Sequence, residues 1–355
     1  MENNVQILDC TLRDGGQGLE DNVKHQIGSA CFEFNDIELI SSKLAKADID
    51  IIELGCIEIS PIDKKRFSIY QTIEEISKKK PAQHKKNQLF VGLYTGPDTP
   101  VSNIPEWDSN MVDGVRVILR YSELKKSLNF CAALSAKGYK VFVQPMLTMR
   151  YTEDELKYLV DESNTMGAYA LYFVDSYGYM REPDIDRLYN IYNEQLNPEI
   201  RIGFHSHNNL DLAFSNVLHF LDIAGTRRII VDSTCIGMGQ GAGNMQTEVL
   251  AGYFNTEKSG NYDYGQILDI CEIVEKYSCS PPWGYSVPRM LSALHKTAYK
   301  YSISLRNHYC MCYRDINEVF LKMPENLRHR YTPENIKELL IKTGYSDIAK
   351  QRSLE

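Results

Sequence analysis

The sequence has no apolar run approaching about 18 residues, so no membrane-spanning helix is expected. It has no basic surplus either. Thirty-nine Lys and Arg face 47 Asp and Glu, a formal net charge of −8 at pH 7. Nucleic acid and anionic membrane surfaces call for a basic excess, so neither is expected as the main partner. That balance does not exclude a local basic pocket. The opening residues, Met1-Glu2-Asn3-Asn4-Val5, lack the basic and apolar segments of a signal peptide, and none is expected. No Cys-x-x-Cys pair occurs among the nine cysteines. An odd, scattered set of this kind is expected to be reduced, mostly buried thiols of a cytoplasmic protein. There is no low-complexity segment.

What the chain does have is length and regular alternation. At roughly 150 residues per domain, 355 residues suggest two or more domains, although α/β barrels reach about 250 residues as one unit. Eight β-rich runs stand out: Val5–Cys10, Asp50–Gly55, Gln88–Tyr94, Gly114–Leu119, Lys140–Met146, Ala170–Asp175, Arg201–His205 and Arg228–Asp232. Most are almost continuously apolar, as strands buried on both faces are. Between them lie segments of helical spacing: 36–47, 69–79, 123–137, 153–166, 182–195 and 210–224. Thr152 before Glu153-Asp154-Glu155 is a capping-box arrangement, and Pro183 fits a first helical turn.

Such alternation implies a parallel sheet with helical crossovers. Eight units favour a closed (β/α)8 TIM barrel over the alternative, an open doubly wound sheet. The crossover after Pro105 has the weakest helical pattern. The expected division is a barrel over 1–258 and a helical extension over 259–355, with helices at 264–277, 290–301 and 333–342. Eleven of the 23 tyrosines lie from Tyr253 onward, which fits either a homodimer face or packing on the barrel.

Barrel chemistry sits at the carboxyl ends of the strands. The first strand runs into Arg13-Asp14-Gly15-Gly16, where the glycines let backbone approach a ligand. A structural ion pair is the alternative reading of Arg13 and Asp14. The connection from Thr11 to Asn35 is long enough for a lid. The seventh strand ends in His205-Ser206-His207. Alternation puts the two imidazoles on one face, about 6.5 Å apart along the strand, where they can share a cation. Asp14 arrives from strand one, beside strand eight and close to strand seven. One carboxylate and two imidazoles, with positions open, describe a catalytic metal site. Oxygen and nitrogen ligands without thiolate suit Mn, Mg, Co or Zn.

After the eighth strand, Gly239, Gly241 and Gly243 alternate in a loop that can cradle a ligand or simply form a tight turn. As a dinucleotide fingerprint the loop is weak, because it follows the last strand rather than opening a βαβ unit. Asn244 at its end offers an amide oxygen as a fourth ligand. Glu53, a carboxylate within an apolar strand, is expected to pair with Arg13 or to orient a site residue. Asp175 closes the sixth strand in a similar way.

These residues resemble the DRE-TIM metallolyase superfamily, which holds hydroxymethylglutaryl-CoA lyase, isopropylmalate and homocitrate synthases, and 4-hydroxy-2-oxovalerate aldolase. The matching pieces are Thr11-Leu12-Arg13-Asp14-Gly15, Ile52-Glu53-Leu54, His205-Ser206-His207-Asn208-Asn209, and the run from Asp232-Ser233 through Gly243-Asn244 to Thr247-Glu248-Val249. The resemblance implies a divalent metal, Mn or Mg first, on Asp14, His205 and His207, with Asn244 as a further ligand. It implies a 2-oxo acid substrate and a carbon–carbon bond made or broken through an enolate, with Arg13 on the enolate oxygen and Glu53 holding Arg13.

The glycine loop is most similar to that of the hydroxy-oxo acid aldolases. It lacks the cysteine of hydroxymethylglutaryl-CoA lyase, and Cys235 lies upstream of that position. Gln17 stands where the aldolases have their acid/base histidine, and there it matches the lyases and synthases. The aldolases' tyrosine aligns on Arg289 rather than on Tyr285. A metal-bound water is the first expectation for the base, followed by Asp175, His25 and Tyr285. The resemblance fades beyond about Tyr301, so no dehydrogenase partner is expected. An acyl-CoA-dependent condensing synthase and a non-catalytic barrel are the alternatives.

Overall fold

The computed structural model describes residues 4–19, 31–59, 68–278 and 282–347. Its strands are β1 Val5–Asp9, β2 Ile51–Ile57, β3 Ile69–Tyr70, β4 Leu89–Tyr94, β5 Gly114–Leu119, β6 Lys140–Pro145, β7 Ala170–Asp175, β8 Arg201–Ser206 and β9 Ile229–Ser233. They are ordered β1-β9-β8-β7-β6-β5-β4-β2, all in parallel register, and β1 also pairs with β2. That last pairing closes the ring into an eight-stranded (β/α)8 barrel. The short β3 hangs on β2 outside the ring.

The near-continuous apolar runs have a simple cause. β2, β7 and β9 are buried at every position, because one face fills the lumen and the other is covered by helices. Leu8, Ile51, Val91, Phe142, Tyr172 and Ile230 form one cluster. Six different strands contribute to it, and only the lumen lets them meet. The larger cluster lies between strands and helices.

Several local signals act as their chemistry suggests. Thr152 and Glu155 form the capping box of helix Glu153–Met166, and Pro183 sits in the first turn of helix Glu182–Gln195. Thr332 caps helix Pro333–Thr343 through the Asn335 backbone N–H, at 3.0 Å.

Three helical expectations are corrected. Residues 69–79 are not one helix. Ile69–Tyr70 pair with β2, and the helix is confined to Ile73–Ser77, because Ile69 and Tyr70 gain more as a buried edge strand. The crossover after Pro105 has no α-helix; a 3-10 turn at Val101–Asn103 precedes it. The 290–301 segment breaks into Val287–Leu294 and Tyr299–Asn307. Lys296 has φ +53° and Ala298 is extended, so the chain turns there.

The last helices have a core of their own, gathered around Leu291, Tyr301, Leu305, Ile316, Phe320 and Leu340. Helix Tyr264–Glu275 instead buries Ile267, Ile270 and Val274 in the barrel's outer core. Among the described cysteines, Cys10, Cys56, Cys131 and Cys235 are buried, while Cys310 and Cys312 are exposed. No helix among the described residues is long and apolar enough to cross a membrane.

Candidate active site

The chain leaves β1 in a π-helical turn, Thr11–Gly15, in which all five residues are buried. Such turns recur at functional sites because they re-aim side chains out of α-helical register. Here Arg13 and Asp14 both hang their backbone N–H on the Cys10 carbonyl. The glycines that follow are needed for close packing. A Cβ on Gly16 would lie 2.3 Å from Ser68 Oγ, and one on Gly18 would lie 2.4 Å from the Gly239 carbonyl oxygen.

Asp14, His205 and His207 each offer a ligand atom within 4.8 Å of the others. The imidazoles lie with ring centroids 5.0 Å apart, and His207 Nε2 is 3.9 Å from Asp14 Oδ2. Each imidazole is turned by its other nitrogen. His205 Nδ1 is 2.8 Å from Asp232 Oδ2, and His207 Nδ1 is 2.9 Å from the Asp175 carbonyl oxygen. Both Nε2 atoms are thereby directed to serve as ligands, as in metal sites whose histidines are held from behind.

Asn244 joins them through a bridge between His207 and Asn244, in which the Asn208 N–H donates to the Gly243 carbonyl at 2.8 Å. Its Nδ2 donates to Asp14 and to the Met238 carbonyl. Its Oδ1 is buried with no hydrogen-bond partner. A buried orphan acceptor beside a carboxylate and two directed imidazoles is a group that a bound cation would satisfy. The residues therefore fit a divalent ion of the oxygen- and nitrogen-loving kind.

Behind these groups runs a buried ionic network. Arg13 Nε pairs with Glu53 Oε2 at 2.8 Å, and Arg13 Nη1 with Asp14 Oδ1 at 2.6 Å. Glu53 Oε2 also takes Arg116 Nη1 at 2.7 Å, and Arg116 Nη2 pairs with Asp232. Arg116 is fully buried and lies against the Tyr172 ring, 5.1 Å from its centroid. In the orientation that satisfies both ends of its amide, Gln144 accepts from Arg116 as well. A register shift between Glu53 and Cys56 marks a bulge in β2 beside the site.

The electrostatics follow from this wiring. Burial raises the Asp14 carboxyl, but Arg13 and the two imidazoles outweigh it and hold it at about 2. Burial resists the charge on Arg13, yet Glu53 and Asp14 keep it firmly protonated. Burial would raise Asp232, and Arg116 with His205 pulls it down instead. Burial, with His205 alongside, lowers His207 to about 4, so its imidazole is neutral and ready to ligate.

Other expected residues fall in different places. Gln17 lines the cavity, accepts from Arg13 Nη1 at 3.3 Å and donates to Cys56 Sγ. The Asp175 carboxylate turns away into its own loop, accepting the Tyr179 and Met180 N–H groups at 3.0 Å; burial raises it to about 7. Its contribution to the site is the backbone oxygen under His207.

Gly239, Gly241 and Gly243 give close packing within the protein. A Cβ on Gly239 would meet Asn244 Nδ2 at 2.4 Å, and one on Gly243 would meet the Gly237 carbonyl oxygen at 1.7 Å. Tyr285 is 59% exposed and is not a cavity-lining residue. Arg289 Nη1 donates to the Pro282 and Gly284 carbonyls. His25 lies outside the described residues.

Sequence reasoning missed Arg116 and Asp232 as site residues. Their signal was a charge inside an apolar strand, as in Val115-Arg116-Val117, the same signal that marked Glu53. It also missed the far wall. The cavity, about 320 Å³, is floored by Arg13, Asp14, Gln17, His205 and His207. The C-terminal extension closes it with Tyr299, Lys300, His329, Arg330 and Tyr331.

Residues 109–274 match the HMGL-like family model. The 4-hydroxy-2-oxovalerate aldolase of Moorella thermoacetica is 28% identical over 297 residues, 81% of each chain. The oxaloacetate decarboxylase of Mycobacterium tuberculosis is 25% identical over 259 residues, 69% of this chain and 68% of that one. Among solved structures, the N-terminal domain of a candidate aldolase from Bacteroides vulgatus superposes with a TM-score of 0.64 at 22% identity. That superposition covers 84% of this chain and 95% of the other and establishes the shared barrel fold.

Proposed function

We propose that this HMGL-like barrel protein is a divalent-metal-dependent carbon–carbon lyase. It cleaves a 4-hydroxy-2-oxo acid to pyruvate and an aldehyde, or runs the same bond formation in reverse. The observation that carries the reading is the constellation of Asp14, two imidazoles directed from behind, and the orphan Asn244 Oδ1, set in one cavity with Arg13. The named relatives support the reaction class. Mn or Mg is the first expectation for the ion, and the oxygen and nitrogen donor set also suits Co or Zn.

Asp14, His205, His207 and Asn244 would hold the ion, which when bound supplies Lewis acidity to the substrate's 2-oxo group. The chain's own residues do the rest. Arg13 brings a fixed positive charge to the cavity where the enolate oxygen develops, and charge placed in advance at that point lowers the barrier most. Glu53 and Asp14 fix the guanidinium in place. Asp232 and the Asp175 carbonyl set the tautomers of the two imidazoles. Gln17 cannot carry the substrate's hydroxyl proton, since an amide does not titrate in the working range. It buttresses Arg13 and forms part of the binding surface. Groups on the cavity wall that carry an exchangeable proton include Tyr299, His329 and Tyr331.

Chelator treatment is expected to abolish cleavage of 4-hydroxy-2-oxovalerate, followed as pyruvate release, and Mn or Mg to restore it. Full activity of the metal-free protein, or of the His205→Ala, His207→Ala double variant, would overturn the assignment.

A further inference from the structure

A second group of ligand-type side chains lies outside the cavity, between the last barrel loop and the helices that follow it. Cys235, Glu248 and Cys271 each bring a sulfur or a carboxylate oxygen within 4.8 Å of the others. None of the three lines the cavity. Cys235 comes from the turn after β9, Glu248 from helix Thr247–Glu257 and Cys271 from helix Tyr264–Glu275. Cys235 is fully buried, and the other two are half-buried.

The turn that presents Cys235 is strained. Ile236 has φ +51° and ψ +18°, a left-handed conformation that a β-branched residue rarely adopts and that collects at functional sites. Its N–H donates to Glu248 Oε2 at 3.0 Å, so the carboxylate is fixed to the strained turn. Cys271 is in hydrogen-bonding contact with both Cys235 and Glu248. On its other side, Cys235 Sγ lies 3.8 Å from Asp9 Oδ2, an oxygen already held by the hydroxyls of Thr11 and Thr247.

Three separate elements thus converge two thiols and a carboxylate on one point. A disulfide would use the two sulfurs and leave the carboxylate idle, whereas a cation uses all three. Zinc–sulfur bonds are about 2.3 Å long, so donors this close meet on one ion with small side-chain rotations. Thiolates select zinc and other soft ions, while Mn and Mg prefer the oxygen and nitrogen donors of the cavity floor.

We infer that Cys235, Cys271 and Glu248 form a second ion site, for zinc or a similarly thiol-seeking divalent ion. Nothing in this site depends on the lyase reading of the floor. Binding releases two thiol protons to solvent, and the ion with two thiolates and one carboxylate carries a single net negative charge. Water reaches the remaining position, on the half-buried side of Cys271 and Glu248. The ion ties the start of the loop that ends in Asn244 to both flanking helices, and so stiffens that loop without touching substrate.

The full-length, reduced protein carrying His205→Ala and His207→Ala tests this. In it the floor is dismantled, and with it the group formed by Cys10, His205 and Asp232. Cadmium, which reports sulfur ligation through thiolate charge-transfer absorption, is expected to bind at one ion per chain. Zinc should displace it and magnesium should not. Cys271→Ala should abolish the absorption, and Glu248→Gln should weaken cadmium binding about ten-fold or more. In the unsubstituted chain, zinc should protect Cys271 from alkylation while exposed Cys312 stays reactive, a readout that needs no variant to fold. Absence of the charge-transfer absorption, its survival in Cys271→Ala, or a Cys271 that zinc leaves fully reactive would overturn the site.

Discussion

Two buried polar clusters flank the end of β1, and they are finished differently. Around Asp9 every acceptor is used. Oδ1 takes the Thr11 N–H at 2.9 Å, Oδ2 takes the hydroxyls of Thr11 at 3.1 Å and Thr247 at 2.6 Å, and the Cys235 N–H reaches Thr11 Oγ1 at 2.8 Å. Five residues further on, the cluster around Asp14 leaves Glu53 Oε1, Asp232 Oδ1 and Asn244 Oδ1 without partners. Buried polar groups are nearly always paired, and an unpaired one costs roughly 1–3 kcal/mol. The satisfied cluster pins the last loop to the first strand. The unsatisfied one, carrying ions and directed imidazoles, is arranged for something that is added to it.

That contrast can be broken at its ends. The largest effect is expected at Arg116. Arg116→Met removes the one cation shared by Glu53 and Asp232, leaving Glu53 with Arg13 alone and Asp232 with no guanidinium. Breaking a buried pair in this way costs about 3–5 kcal/mol. Urea unfolding should show that loss, and activity should fall with it as His205 loses its anchored partner. Wild-type stability in the variant would mean the network is not coupled as its geometry implies.

The satisfied cluster should respond to pH instead. Burial raises Asp9 to about 6, against the hydrogen bonds of Thr247 and Thr11 that oppose it. The folded state thus holds the proton more tightly than the unfolded chain. Its stability is greatest below the ordinary carboxylate value and falls as pH rises through about 6, by about 3 kcal/mol in all. Asp9→Asn has no such proton to lose. Its unfolding free energy relative to wild type should therefore rise between pH 5 and pH 8, and a flat difference would contradict the assignment.

Asn244→Ala should have the smallest effect. Loss of an outlying or supporting ligand usually weakens metal affinity about 10–100-fold, and Mn titration would measure it. Unchanged affinity would mean Asn244 only ties the glycine loop to Asp14.

Much of this was legible from the residues. The strands are visible because a parallel barrel buries both faces, and Gly114–Leu119 and Ala170–Asp175 fall where their apolar runs fall. His205 and His207 could be paired by alternation alone. Glu53 could be tied to Arg13 because a lone carboxylate in an apolar strand demands a cation.

What stayed hidden depended on tertiary contact. Ile69 and Tyr70 read as helix because a two-residue strand has no period to detect. The glycines of the last loop read equally as a ligand cradle or a tight turn; only their distances to Asn244, Gly237 and Tyr299 show the packing each allows. Lys300 and Arg330 sit in a helical tail with ordinary surface composition, and only the folded chain brings them over the floor.

The central claim is that Asp14, His205 and His207 are built around a divalent ion. Calorimetric titration of metal-free protein with Mn tests it most directly. One ion per chain is expected, lost in both Asp14→Ala and His207→Ala. No binding by the wild type, or the same binding in either variant, would contradict the account.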